Sequence, residues 1–296
     1  MRHVLPIPVL CLALMFSRAA VAADIDWSKV DTALGKTATV QGDVHRYGIP
    51  RSDLKVTLDG VQIKPALALG GWVAFEPAPD GSMAMGDLVL TETEVTPVMT
   101  KLLQSGIEIT ALHNHLMRAT PATFYMHIRG HGDPVKLATA IHEALTESKT
   151  PFEQTAAPTQ QTNLDLDTGK LDQGLGAKGK VNGGVYQFAV PRRETIREAE
   201  TVFAPPGPLG VATSINFQPT DRGKAAVTGD FVLMADEVNA VIKTLCDNGI
   251  EVTALHSHML TEQPRLFFMH FWANDDAVKL ARGLHAALEK MAIAKD

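Results

Sequence analysis

Ala111-Leu-His-Asn-His-Leu116, followed by Phe124-Tyr-Met-His-Ile128, returns 143 residues later as Ala254-Leu-His-Ser-His-Met259 and Phe267-Phe-Met-His-Phe271. Each copy offers three imidazoles from two strand-like runs joined by a short turn. Side chains alternate across a strand, so His113 and His115 share a face with Ala111, Ile109 and Ile107, while Leu112 and Asn114 point the other way. An antiparallel hairpin turning near Arg118 to Pro121, with His113 opposite His127 and His115 opposite Tyr125, brings directly opposed Cβ atoms to about 5 Å. Three histidines with a vacant fourth position form a known catalytic zinc arrangement that also suits copper or iron. The expected metal ligands are therefore His113, His115 and His127, and in the second copy His256, His258 and His270, with zinc or copper as the ion. The competing reading is a duplicated core whose histidines are hydrogen-bonded packing residues, and a register slip of one residue would move His127 to the opposite face.

Working outward, the duplication extends far beyond these strands. Asp26-Trp-Ser-Lys-Val-Asp31 through Leu34-Gly35 matches Asp167-Thr-Gly-Lys-Leu-Asp172 through Leu175-Gly176, and Pro50-Arg51 matches Pro191-Arg192. Gly86-Asp-Leu-Val-Leu90 matches Gly229-Asp-Phe-Val-Leu233. In each copy the first half alternates and turns like an antiparallel sheet, with Asp59-Gly60 as a hairpin turn. A helix follows, striped by Val95, Val98, Met99, Leu102 and Leu103, opened by a Thr91/Glu94 capping box and stopped by Gly106; Asp236 is the corresponding cap in copy two. After the histidine strands a last helix opens at Asp133-Pro134 and at Asp276. The fold class is α+β: two tandem repeats, each an antiparallel sheet with two helices, packed with pseudo-twofold symmetry. The expected divisions are a signal peptide at 1–22, repeat 1 at 23–145, a Thr/Gln/Pro-rich linker at 146–163, and repeat 2 at 164–296.

The leader rests on the apolar run Val4 to Phe16 after Arg2 and His3, before small residues that place cleavage near Ala22. That run is too short to span a bilayer, so the mature form has no transmembrane helix and is secreted to the periplasm. Leu10 before Cys11 disfavours a lipid anchor. Removing the leader leaves Cys246 as the remaining cysteine, which excludes an internal disulfide and a thiolate metal cluster. The whole chain carries a net charge of −6, and loss of Arg2 and Arg18 makes it more acidic, which argues against nucleic acid and anionic membrane as partners. A metal ion or a small molecule fits better.

The two copies differ around the cluster. Tyr125 becomes Phe268, Arg129 becomes Trp272, and His131 has no histidine counterpart near Asn274. Any chemistry is therefore assigned to copy one, with Tyr125, Arg129 and His131 as catalytic candidates. Glu262, where copy one has Ala119, is a candidate further ligand in copy two. His142 and His285 fall on helical stripes and read as packing or ligand-orienting groups. Asp87 and Asp230 read as turn residues or as carboxylates orienting a ligand histidine, and Glu94 and Glu237 as helix N-terminal charges.

The segments Val44 to Val56 with Pro50-Arg51-Ser-Asp-Leu54, Gly86 to Leu90, Gly106 to Leu116, and Tyr125 to Leu137 resemble the LppY/LpqO family of exported bacterial proteins. The resemblance covers almost the whole mature chain and implies export and a shared fold; it supplies no activity and no catalytic residues. The functional expectation is an exported periplasmic metal-binding protein. The alternatives are a metal-dependent, hydrolase-like enzyme acting on a small anionic substrate through a metal-activated water, and a structural cell-envelope interaction module.

Overall fold

A computed structural model describes residues 25–79, 81–152, 164–198, 201–202 and 207–294. The expected leader and residues 153–163 of the expected linker lie outside the described residues. Repeat one runs α1 (Trp27–Leu34), β1 (Thr39–Gln41), β2 (Val44–Pro50), β3 (Thr57–Leu58), β4 (Val61–Gln62), α2 (Pro65–Ala68), β5 (Gly70–Ala78), β6 (Gly81–Thr91), α3 (Glu92–Gln104), β7 (Glu108–His113), β8 (Thr123–Gly132) and α4 (Pro134–Leu145). Repeat two runs α5 (Thr168–Leu175), β9 (Lys180–Asn182), β10 (Val185–Pro191), β11 (Arg197–Glu198), β12 (Thr201–Val202), a 3-10 turn at Gly207–Leu209, β13 (Ala212–Asp221), β14 (Lys224–Leu233), α6 (Val238–Asp247), β15 (Glu251–His256), β16 (Glu262–Gln263), β17 (Phe267–Asp276) and α7 (Ala277–Leu288). Each repeat builds a six-stranded antiparallel sheet, ordered β1-β2-β5-β6-β8-β7 in one and β9-β10-β13-β14-β17-β15 in the other. The α+β duplication is thus present in full. Among the described residues no helix is long and apolar enough to cross a membrane.

The central strands explain how the sheets stack. β6 is buried along nearly its whole length, and its residues divide by parity. Ala84, Leu88 and Leu90 pack beneath α3 and α4 with Val98, Leu102 and Ile141, while Met83, Met85 and Val89 face the other repeat. β14 divides likewise, with Val227, Phe231 and Leu233 under its own helices and Ala226 and Val232 facing across. Strands covered on both faces give near-continuous apolar runs instead of alternation. The result is four layers: helices, sheet, sheet, helices.

The repeats also exchange arms. Val56, Leu58, Ile63 and Leu67 of repeat one pack on Val185, Ala226 and Trp272 of repeat two. The Lys64 amide donates to Gln218 Oε1, Gln218 Nε2 donates to the Gln62 carbonyl and Gln187 Nε2 donates to the Ala66 carbonyl, each at 2.8 Å. In return Ile196, Leu209 and Val211 cover Val44, Trp72 and Met85. Gly210, at φ +79°, touches the Trp72 ring where a Cβ would sit 2.7 Å away. Burial contributes about 1.5–3 kcal/mol for each large aliphatic side chain, so the exchanged arms hold the two sheets firmly face to face.

Local expectations fare unevenly. The Thr91/Glu94 capping box is present, and Asp133 and Asp276 cap α4 and α7 through their side chains. Each repeat has an extra N-terminal helix, α1 or α5, in the matching Asp26 and Asp167 segments; Gly35 and Gly176 close them in the left-handed conformation. Asp236 is not the cap of α6: Glu237 holds that position, and its carboxylate accepts from the Met234 amide at 2.7 Å. Leu103 is 55% exposed and leaves the α3 stripe. Residues 146–152 fold back on repeat one, with the Lys149 amide donating to Glu94 at 2.9 Å.

Candidate metal centre

The histidine strands pair as antiparallel neighbours, two residues out of the expected register: Ala111 lies opposite His127 and His113 opposite Tyr125. A slip of two preserves the face, so His113 and His127 still project together. The register shifts between Ile109 and Ala111, which sends Ile107 and Ile109 into the core under the helices instead of onto the imidazole face. Copy two repeats the irregularity between Val252 and Ala254, and Thr253 there donates to the His115 carbonyl across the repeats at 2.6 Å. His115 and His258 sit just past the ends of β7 and β15.

The two sets of three imidazoles do not form separate sites. Face-to-face packing of the sheets brings all six together between the repeats. His113 stacks on His256 with ring centroids 3.5 Å apart, His115 on His270 at 3.5 Å, and His127 on His258 at 3.7 Å. The second histidine of each His-x-His pair thus meets the β-strand histidine of the opposite repeat. Ligand nitrogens of His113, His256, His258 and His270 lie within 4.8 Å of one another, as do those of His113, His115 and His127. His127, His258 and His270 are buried, whereas His113, His115 and His256 are half-buried and give the cluster a solvent side.

Two carboxylates complete the surroundings, and of the two readings the sequence offered for them, turn residue or carboxylate beside a ligand histidine, the first is overturned. Asp87 and Asp230 are mid-strand residues, not turn residues, directly cross-strand from His127 and His270. The detectable signal was a carboxylate following glycine inside an otherwise apolar strand, repeated in both copies. Arg46, whose guanidinium stacks 3.9 Å from the Trp72 ring, adds a positive charge on the Asp87 side; Gln187 is at the equivalent place in copy two, so the duplication gave no clue to it.

Burial, with the neighbouring imidazoles, pushes His115, His127, His258 and His270 well below the ordinary range and His113 to about 3, and burial alone takes His256 to about 4. Burial also raises Asp87 to about 7 despite Arg46, and raises Asp230 well above its usual value with Asp87 adding to the effect. Neutral imidazoles keep lone pairs for coordination. His270 donates Nδ1–H to the Gly229 carbonyl at 2.8 Å, which leaves Nε2 free in the way a ligand histidine is oriented. Meanwhile Nε2 of His127, His258 and His270 and an oxygen of both Asp87 and Asp230 are buried with no hydrogen-bond partner in the protein. Each such atom costs about 1–3 kcal/mol; a divalent cation among them removes that cost.

Of the remaining candidates, Tyr125 borders the cluster and the others lie outside the imidazole groups. The Tyr125 ring stacks on His115 at 3.3 Å, but its hydroxyl donates to the Ala68 carbonyl at 2.6 Å. Tyr125→Phe is expected to cost about 1–2 kcal/mol by orphaning that carbonyl and to leave bound metal unchanged; loss of metal would mark the hydroxyl as part of the centre. Arg129 is held by Glu198 of repeat two at 2.8 Å and by Glu108 at 3.4 Å. His131 is exposed at the end of β8, about 13 Å along the strand from His127 at 3.3 Å per residue. Glu262 is buried against Arg265 and the Leu266 amide, outside the imidazole groups. His142 and His285 fasten the last helix of each repeat to the first, through the Leu34 and Leu175 carbonyls at 3.0 and 2.8 Å.

Fold and centre together define an internally duplicated α+β protein whose two sheets enclose a shared histidine cluster. Within that class the chain belongs to the family described as Domain of Unknown Function (DUF1259), whose model matches residues 28–147 and 169–290. No curated protein matches the sequence. Among solved structures, the trimeric bacterial microcompartment shell protein PduB is 14% identical over 86% of this chain and 88% of that one, with a TM-score of 0.22. EtuB from Clostridium kluyveri is 12% identical over 86% and 89%, with a TM-score of 0.20. Both TM-scores are too low to imply a shared arrangement.

Proposed function

We propose that this chain is an exported, periplasmic protein of the LppY/LpqO kind that holds a divalent transition metal, zinc or copper, in the histidine cluster between its repeats. The observation that carries the reading is the meeting of six imidazoles from both repeats, with buried Nε2 atoms that have no partner in the protein. Binding is favoured over turnover because the Tyr125 hydroxyl and the Arg129 guanidinium are engaged by protein groups instead of facing an open position. The half-buried His113, His115 and His256 leave a route for the ion to enter and leave, as buffering or carriage requires.

Metal analysis of untagged protein tests this directly. Zinc at 100 times its dissociation constant stabilises by about 2.7 kcal/mol, which for a chain of this size raises Tm by roughly 5–10 °C. The double replacement His127→Ala, His270→Ala removes the shift. Less than about a tenth of an equivalent of metal, with no shift from zinc or copper, rejects the proposal.

A further inference from the structure

We infer that the cluster holds two adjacent divalent cations, one for each repeat's ligand set, and that Asp87 and Asp230 are direct ligands to them. This rests on the metal-binding reading above and goes beyond it in stoichiometry and ligand identity. One ion takes His113, His115, His127 and Asp87; the other takes His256, His258, His270 and Asp230.

The carboxylates are decisive. An Asp that merely orients a ligand histidine bonds to the ring nitrogen facing away from the metal. Here Asp87 Oδ1 lies 3.7 Å from His127 Nε2, and Asp230 oxygens lie 3.9 Å from Nε2 of both His258 and His270. For His270 the orienting bond is already made, by Nδ1 to the Gly229 carbonyl. The carboxylate–imidazole separations are too long for hydrogen bonds. They exceed by only about half an ångström the roughly 3.3 Å that separates two ligand atoms of a tetrahedral shell with bonds of about 2.0–2.1 Å, a difference that small side-chain rotations close around an ion.

The count of ligands points the same way. Three imidazoles and one carboxylate complete a four-coordinate shell; the ligand nitrogens converge in two groups that share His113, His113 with His115 and His127, and His113 with His256, His258 and His270, with Asp87 beside His127 of the first and Asp230 beside His258 and His270 of the second. A single four-coordinate ion leaves the other set as buried polar atoms without partners, yet unpartnered atoms are found in both: His127 and Asp87 on one side, His258, His270 and Asp230 on the other. The stacked His113 and His256 rings, 3.5 Å apart, show that the sets abut, as ions about 3.5–4 Å apart in a two-metal centre require.

The test is a zinc titration of metal-stripped, untagged, full-length protein, paired with electron paramagnetic resonance of the copper(II)-loaded form. Two equivalents of zinc and a spin-coupled copper pair are the expected results. Asp230→Asn keeps the side-chain volume and is expected to weaken one of the two binding steps by at least ~100-fold, beyond the 10–100-fold typical of an orienting group, with the metal-free melting temperature near that of the parent. Asp87→Asn does the same for the other step. One equivalent, or two magnetically isolated coppers, overturns the inference and leaves the metal-binding reading standing. Less than about a tenth of an equivalent overturns both. Two equivalents with unchanged affinity in both Asn variants removes the carboxylates as ligands. The copper signal of the parent protein decides the two-ion question even if neither variant folds.

Discussion

Stripped of metal, the protein is expected to melt highest near pH 6.5–7 and to lose more than about 10 °C of Tm by pH 5. Every imidazole of the cluster is pushed below its ordinary value by burial, so below pH 6.5 the unfolded chain takes up six protons that the folded chain refuses. Stability then falls with falling pH, because the unfolded state binds more protons. Asp87 and Asp230 oppose this: raised by burial, they hold protons when folded that they lose when unfolded above pH 4. The net excess is about four protons, and at about 1.4 kcal/mol per pH unit for each, the upper limit is roughly 5–6 kcal/mol per unit, reduced by the partial exposure of His113, His115 and His256. The histidine contribution fades between pH 6.5 and about 7.5 as the unfolded imidazoles lose their protons; the cost from Asp87, which accrues from about pH 4, is complete once it ionises near pH 7, and above that Asp230 alone goes on lowering stability. A divalent metal held as proposed would keep the carboxylates ionised and remove this alkaline decline. Thermal melts with and without chelator across pH 5–8 measure both limbs. A flat profile for the stripped protein would mean that the imidazoles take protons in place, which the packed second sheet forbids.

Arg51→Met is expected to destabilise repeat one by about 3–5 kcal/mol, because it leaves a buried carboxylate without its cation. Arg51 is 1% exposed and grips Glu94 with two bonds of 2.7 and 3.1 Å, Asp53 with two of 2.9 and 2.8 Å, and the Val89 carbonyl at 2.8 Å. Glu94 also accepts from the Thr91 and Lys149 amides. One ion pair therefore ties the end of β2, the start of α3 and the segment after α4. Repeat two copies it with Arg192 on Glu237, Glu194 and the Val232 carbonyl, Glu237 accepting in turn from Ala292. The Arg51→Met, Glu94→Gln double variant is expected to recover part of the loss, since the uncompensated charge is gone. Denaturant melts of the single and double variants decide it; a cost below about 1 kcal/mol for Arg51→Met would mean that Glu94 is solvated.

Much of this was readable from local pattern. Period-two alternation placed His113 and His127 on one face, and that survived a register two residues from the expected one because a two-residue slip keeps parity. Capping chemistry marked Thr91/Glu94, Asp133 and Asp276 because a cap is a contact between residues two or three apart. The bulges at Thr110 and Thr253 left no mark, since the extra residue belongs to the pairing and not to the composition of the strand. The Arg51–Glu94 pair joins positions that no periodicity connects, so Pro50-Arg51 stood out only as a repeated motif.

By itself, then, the sequence determined that a unit is written twice, that each copy is α+β, and that each puts the first His-x-His imidazole and the β-strand histidine on one sheet face, because all three follow from spacing along the chain. Only the tertiary structure decided that the two faces meet. Sheet-on-sheet packing and the exchanged arms set His115 against His270 and His127 against His258, merging two expected sites into one centre. The same packing takes Asp87 and Asp230 out of water and aims them at the imidazoles. Those are contacts between residues more than 130 positions apart or on opposing strands, fixed by the apolar surface buried between the sheets, and no local period encodes them.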